Sequence, residues 1–422
     1  MNLAIQKSML SGAVDIPGSK SHTIRAAVIA SLADGISVIR KPLVASDTLS
    51  GLHACKLLGA GVDEQIDWIV RGVVGAPHVP DNVIDVGNSG TTLYIALGMA
   101  ALIDGCSIFT GDDQIRRRPA EPLIDALNAL GARVESTRGN GMAPIIVRGP
   151  MRGGHIRLDG SKTSQYLTSL LINCPLAEGE TCIDVENLVE KPYVEMTLRW
   201  IREQGIEVQN ENFERFVIPG NQRYKSFDKS IPADFSSATF FLCAAAITGG
   251  DITLRGLDME DTQGDKAVIE MLSRMGAKVE QSKDGLRIVG GNLTGAVLDL
   301  GNTPDALPAL AVAACFADGE TRIVNVAQAR LKETDRISVM AQELGKMGAD
   351  IEELPDGLVI RGSKLHAAKV YGHGDHRVIM SLAIAGLCLD GETIIESADA
   401  VSVTFPTFVT LMQSTGANII IS

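Results

Sequence analysis

The chain is short of positive charge. Its 422 residues hold 38 Lys and Arg against 51 Asp and Glu, a formal net charge of −13. That argues against a nucleic-acid or anionic-membrane partner, since both need a net basic face. Paired cysteines are also lacking: the seven (Cys55, Cys106, Cys174, Cys182, Cys243, Cys315, Cys388) are odd in number, scattered and free of any CxxC. Several lie in apolar runs such as Phe241-Leu242-Cys243-Ala244. They read as buried thiols of a reducing compartment, not as a disulfide frame or zinc site. No apolar run is long. The opening MNLAIQKSMLSGAVDIPGSK has no signal-peptide core, and stretches such as 236–250 are broken by Ala, Gly and polar residues, which suits core helices rather than membrane spans. A cytoplasmic location is expected. HExxH, Gly-x-Ser-x-Gly, a Walker lysine loop and a dinucleotide fingerprint are all missing, and His373 and His376 lack a third partner, so neither metal nor cofactor is expected. Aromatics are scarce at 4%, whereas 45% hydrophobic and 21% charged residues are ordinary for a folded globule and exclude disorder. The 43 glycines point to many tight turns.

What is present is a repeat. Gly, one residue, Thr or Ser, then an apolar strand recurs at or near Gly35, Gly105, Gly179, Gly250, Gly319 and Gly391, at intervals of 69 to 74 residues. An Ala-rich apolar helix precedes each copy, as in FLCAAAITGG and LAVAACFADG. A polar loop, a second helix ending in a turn such as LSRMGAKVE, and a hairpin such as IEELPDGLVIRG follow, with Asp-Gly supplying the turn. Each repeat is therefore βαβαββ, and the fold class is α/β. The sixth copy stops at Asn418-Ile419-Ile420-Ile421-Ser422, before its last strand. Leu3-Ala4-Ile5-Gln6-Lys7 supplies that strand, and the following SGAVDIPG is taken as the start of the first repeat. Six repeats make two pseudo-threefold domains: residues 14–232, and residues 1–13 with 233–422. The chain should cross between them near residues 12–15 and 230–235. Two connecting strands would let such a body work as a hinged clamp.

The residues ahead of the six Ala-rich helices are polar and alike: PGSKSHTIR (17–25), GNSGTTL (87–93), DGSKTSQYL (159–167), PADFSSATF (232–240), GNTPDAL (301–307) and GHGDHRV (372–378). A strand that runs through such residues into a helix leaves free N–H groups at a positive dipole end, which suits an anion. They serve equally well as N-caps. Caps do not require the embedded Lys20, Arg25 and Arg377. Further basic residues stand before the second helices, in Arg116-Arg117-Arg118-Pro119, Glu190-Lys191-Pro192-Tyr193 and Lys332-Glu333-Thr334-Asp335-Arg336. If 332–336 begins a helix, Lys332 and Arg336 stack at i, i+4. Interleaved Glu333 and Asp335 would then make it a solvated charged face, while an anionic ligand gripped by the pair is the competing reading.

These strings, PGSKSHTIRA, GNSGTT, RRRP, DGSKTSQYL, KPY, LKETDR, GDHR and TFPTF, stand in the order found in the 5-enolpyruvylshikimate-3-phosphate synthases, and the resemblance runs from about residue 15 to 410. It implies the two-domain, six-repeat fold already reached. It also implies enolpyruvyl transfer from phosphoenolpyruvate to the 5-hydroxyl of shikimate 3-phosphate with release of phosphate, without metal or cofactor, by a monomer. The related UDP-N-acetylglucosamine enolpyruvyl transferases usually carry Lys-Asn where Lys20-Ser21 stands and a cysteine in the loop leading to Arg118-Pro119; neither is present.

By the same resemblance, Asp305 engages the attacking hydroxyl and Glu333 exchanges the C3 proton, with Lys20 as the third catalytic residue. Lys20, Gly90, Arg118, Gln165, Arg336 and Arg377 would hold phosphoenolpyruvate. Lys20, Ser21, Arg25, Thr163, Ser164, Gln165, Tyr193, Asp305 and Lys332 would hold shikimate 3-phosphate. Asp47, Asn88, Thr91, Gln328 and His376 would line the cleft, Asp47 orienting Asn88. The sequence departs from the family pattern in four places. Val403 replaces a usual lysine, Glu190 a common serine, Tyr94 a frequent arginine and Gln328 an asparagine. An acid at 190 repels a phosphate unless it turns away or pairs with Lys191. The alternatives are a transferase retuned to another hydroxylated anion and a non-catalytic anion-binding relative.

Overall fold

The computed structural model describes residues 1–422. Its strands form six four-stranded sheets, all assembled alike. In the third repeat, Gly154–Asp159 pairs in parallel with Thr181–Glu186, which continues antiparallel to Arg215–Ile218 and then Gln209–Glu211. A parallel pair needs a crossover between its strands, and the helix Gln165–Asn173 is part of that crossover. The chain thus delivers each apolar helix from the C-terminal end of a strand, with the polar strings described above at the strand-to-helix turn.

The chain divides into two compact units, Met1–Pro17 with Pro232–Ser422, and Gly18–Ile231. In the unit Gly18–Ile231 the apolar helices are Lys20–Leu32, Gly90–Ala100 and Gln165–Asn173. In the other they are Phe235–Thr248, Leu307–Cys315 and His376–Gly386. All six are buried over nearly their whole length. A helix that is apolar on every side must be a core helix, so each unit closes on its own trio. The second helices carry one apolar stripe instead: Lys191–Glu203 buries Val194, Met196, Leu198, Trp200 and Ile201 and exposes its charged side chains.

The strand Leu3–Gln6 completes the sixth sheet, lying antiparallel between Glu392–Glu396 and Asn418–Ile421. The next strand corrects the sequence reading. Ser11–Asp15 does not open the first repeat; it pairs in parallel with Asp251–Arg255, in the fourth. The corresponding place in the first repeat is taken by Asp228–Ser230, parallel to Val38–Arg40. A short strand followed by Pro-Gly satisfies either sheet, so local pattern alone does not choose between them.

Candidate functional site

Within Gly18–Ile231 the expected residues gather at the starts of the three core helices. Lys20, the first residue of its helix, sends Nζ to Asp47 Oδ2 at 3.1 Å, with both side chains largely buried. Asp47 therefore steadies Lys20 rather than Asn88. The Asn88 amide donates instead to Asp112 at 2.6 Å and Gln114 at 2.7 Å, because the loop leading to Arg116-Arg117-Arg118 folds back over it. Gly90 and Arg118 depend on each other. A β-carbon at Gly90 would run into the Arg118 guanidinium, which is buried against that helix start. Tyr94, the residue in place of a frequent arginine, supports the same loop from behind: its hydroxyl donates to the Pro119 carbonyl at 2.9 Å, as does that of Tyr166 at 2.5 Å. The two rings meet edge to face, 5.0 Å between centroids. Gln165 donates to Thr91 Oγ1 at 3.1 Å, linking the second and third helix starts.

Arg25, which the resemblance assigns to shikimate 3-phosphate, is deeply buried. It is 2% exposed, and its guanidinium donates to Thr197 Oγ1, the Ser21 carbonyl, Thr168 Oγ1 and the Tyr193 carbonyl. Burial pushes its pKa down to about 10, partly opposed by Tyr193. Arg25 acts as a clasp that holds Ser21 and Tyr193 in place through their backbones. Glu190, in turn, neither points outward nor caps its own helix. Its Oε2 accepts from Ser164 Oγ at 3.0 Å, Ser164 N at 3.2 Å and Thr163 Oγ1 at 3.3 Å.

In the other unit, one guanidinium organises the acids. Arg336 is 1% exposed and bonds through all three nitrogens: Nε to Asp375 Oδ2 at 2.8 Å, Nη1 to Asp305 Oδ1 at 2.7 Å, and Nη2 to Glu333 and, at 3.3 Å, Asp375 Oδ1. Arg377 Nη2 reaches the second Asp305 oxygen at 2.9 Å. Burial alone would lower the Arg336 pKa; the charges of Asp375, Glu333 and Asp305 more than reverse this and hold it above its ordinary value. Asp375 is likewise penalised by burial, yet Arg336 keeps its carboxyl below the usual range despite nearby Glu333. The i, i+4 stack of Lys332 on Arg336 does not form. The helix starts only at Arg336, capped by Asp335, and Lys332 ends the preceding turn in an extended conformation. Asp305 caps no helix either. Gln328 donates to the Gly301 carbonyl at 3.0 Å, tying the loop before Asp305 to the one before Lys332, and His376 is buried at the first turn of its helix. Of the six helix starts, Ser89, Asp234 and Asp375 do cap through their side chains; Ser19, Ser164 and Ala306 do not.

Asp375 is the most consequential residue not singled out from sequence, although the GDHR string contained it; its partner Arg336 stands 39 positions away. The pair Glu343 and His373, 2.7 Å apart, was also missed. A third grouping, His155, Cys182 and Asp184, brings possible metal-ligand atoms within 4.8 Å of one another. Linear spacing conceals it, because parallel pairing sets His155 beside Cys182.

Three comparisons bear on this geometry. The family model described as EPSP synthase (3-phosphoshikimate 1-carboxyvinyltransferase) matches residues 5–412. The 3-phosphoshikimate 1-carboxyvinyltransferase of Ruminiclostridium cellulolyticum is 54% identical over 420 residues, and that of Acetivibrio thermocellus 55% over 420, each match spanning 99% of both chains. A solved EPSP synthase structure from Acinetobacter baumannii superimposes with a TM-score of 0.84 at 29% identity, covering 100% of this chain and 99% of the other.

Proposed function

We propose the following division of labour for a chain that belongs to the EPSP synthase family. The reaction transfers the enolpyruvyl group of phosphoenolpyruvate to the 5-hydroxyl of shikimate 3-phosphate. The hydroxyl oxygen bonds to C2 of the enol, the hydroxyl gives up its proton, and C3 gains one. The tetrahedral adduct then loses phosphate from C2 and a proton from C3. Such chemistry needs a base at the hydroxyl, an acid at C3 that can reverse its role, and cations for phosphate and carboxylate.

Asp305 takes the hydroxyl proton, and Glu333 delivers and later recovers the C3 proton. Arg336 and Arg377 orient these side chains, and turn toward phosphoenolpyruvate when it binds. Lys20, Gly90, Arg118 and Gln165 serve phosphoenolpyruvate from the unit Gly18–Ile231. Lys20, Ser21, Arg25, Thr163, Ser164, Gln165, Tyr193, Asp305 and Lys332 receive shikimate 3-phosphate. Arg25 also steadies Ser21 and Tyr193 through their backbone carbonyls. Asp47, Asn88, Thr91, Gln328 and His376 line the surroundings. The protein works as a cytoplasmic monomer. No helix is long and apolar enough to cross a membrane.

The observation that supports this reading most is the buried Arg336 bonded at once to Asp305, Glu333 and Asp375. A solvated surface cluster has no reason to bury a cation among three acids, since desolvation is costly unless every charge is paired. Purified protein given both substrates should release inorganic phosphate and form the enolpyruvyl ether. Folded protein with saturating substrates and no release would overturn the reading.

A further inference from the structure

Glu190 is 2% exposed and sits in the left-handed region, φ 56° and ψ 38°, immediately before the helix Lys191–Glu203. A carboxylate in that place would ordinarily accept from its own helix's first N–H groups. Glu190 makes no such bond. It reaches back 26 and 27 positions, and one of its oxygens receives the Ser164 N–H and the hydroxyls of Ser164 and Thr163. Ser164 opens the helix Gln165–Asn173 and spends no side-chain bond on capping it. Three donors converging on one oxygen at a helix start form an anion cradle. Here the anion belongs to the protein. A left-handed non-glycine residue costs of order 1 kcal/mol, so the chain accepts strain at the position that aims this carboxylate.

We propose that Glu190 is a specificity-determining residue, a resident anion that occupies the Thr163–Ser164 cradle until the phosphate of the acceptor displaces it. This rests on the reading that Thr163 and Ser164 receive shikimate 3-phosphate. The incoming phosphate and the carboxylate want the same three donors and carry the same sign. Phosphorylated acceptor therefore binds against the cost of expelling Glu190, whereas the same acceptor without its phosphate leaves Glu190 seated.

Glu190→Gln removes the charge while its amide oxygen can still accept from Ser164, and Glu190→Ser empties the cradle and keeps a hydroxyl. Calorimetric titration of wild type and both variants with shikimate 3-phosphate and with shikimate separates the effects. Affinity for shikimate 3-phosphate should rise about tenfold or more in Glu190→Ser, as expected when a like charge is removed from beside a ligand. It should rise to a lesser degree in Glu190→Gln, with shikimate affinity near the wild-type value in both. A purely structural role would weaken both ligands together. Unchanged or weakened shikimate 3-phosphate binding in a variant that melts near the wild-type temperature would overturn the proposal. A wild-type complex with shikimate 3-phosphate checks it without any substitution: Glu190 should have left Ser164, and a carboxylate still on Ser164 would contradict it. Phosphate release by the wild type reports separately on the underlying reading. Turnover without the affinity change sinks this inference alone; no turnover by any of the three proteins sinks both.

Discussion

Arg336 and Asp305 stand 31 positions apart in the chain, yet Nη1 of one lies 2.7 Å from Oδ1 of the other. The same guanidinium spans Glu333 and Asp375. A planar fork with donors on three nitrogens can bridge three carboxylates, whereas a lysine ammonium is a point charge on a flexible stem. Arg336→Lys should therefore lose most turnover while keeping the fold. Arg336→Met, which leaves three acids without their shared partner, should cost about 3–5 kcal/mol in denaturant unfolding. Equal activity in Arg336→Lys and wild type would show that the bridging geometry is dispensable.

Acid stability reports on a second buried carboxylate. Glu343 is fully buried, receives the Tyr371 N–H at 3.0 Å and pairs with His373 and Lys346, each at 2.7 Å. Burial raises its pKa, but His373, Lys346 and the Tyr371 N–H outweigh it, and the net direction is downward. A carboxyl lowered on folding stabilises the protein above its unfolded pKa, near 4.3, and that contribution is lost as pH falls through the folded value. Glu343→Gln should thus be less stable than wild type at neutral pH, and the gap should narrow as the medium is acidified. Unfolding curves from neutral pH to pH about 3 would test it; a gap that widens on acidification would contradict it.

Gly90 has no room for a methyl group beside Arg118. Gly90→Ala should displace the guanidinium while the helix gains a better former. A shift of about 1 Å in a positioning group can cost about 10²-fold in rate, so kcat/KM for phosphoenolpyruvate should fall by up to that factor with the melting temperature maintained. An unaltered KM for phosphoenolpyruvate would remove Arg118 from its proposed role.

The repeat, the α/β class and the strand that closes the sixth sheet were legible in the sequence because they follow from periodicity and turn chemistry. The motifs located Asp305, Glu333 and Arg336 individually. Their joint bonding was not legible, since partners separated by 31 and 39 positions meet only through packing of the three core helices. Ser11–Asp15 shows the same limit: its sequence marks a strand, but its partner is decided by tertiary pairing. Glu190 was recognisable as an acid in an unexpected place. Its orientation came from a left-handed backbone at a non-glycine residue, for which the sequence carries no signal. Arg25 was recognisable as a basic residue near a helix start, but its bonds to Thr197 and the Tyr193 carbonyl, 172 and 168 positions away, were not legible.

The most direct test of the proposed chemistry is phosphate release from phosphoenolpyruvate in the presence of shikimate 3-phosphate, comparing wild type with Glu333→Gln. General acid–base residues contribute about 10²–10⁴-fold, so the folded variant should lose turnover by that factor while the wild type releases phosphate in step with ether formation. Equal rates in the two proteins, or no release by the wild type, would contradict the assignment of Glu333 and of the reaction it serves.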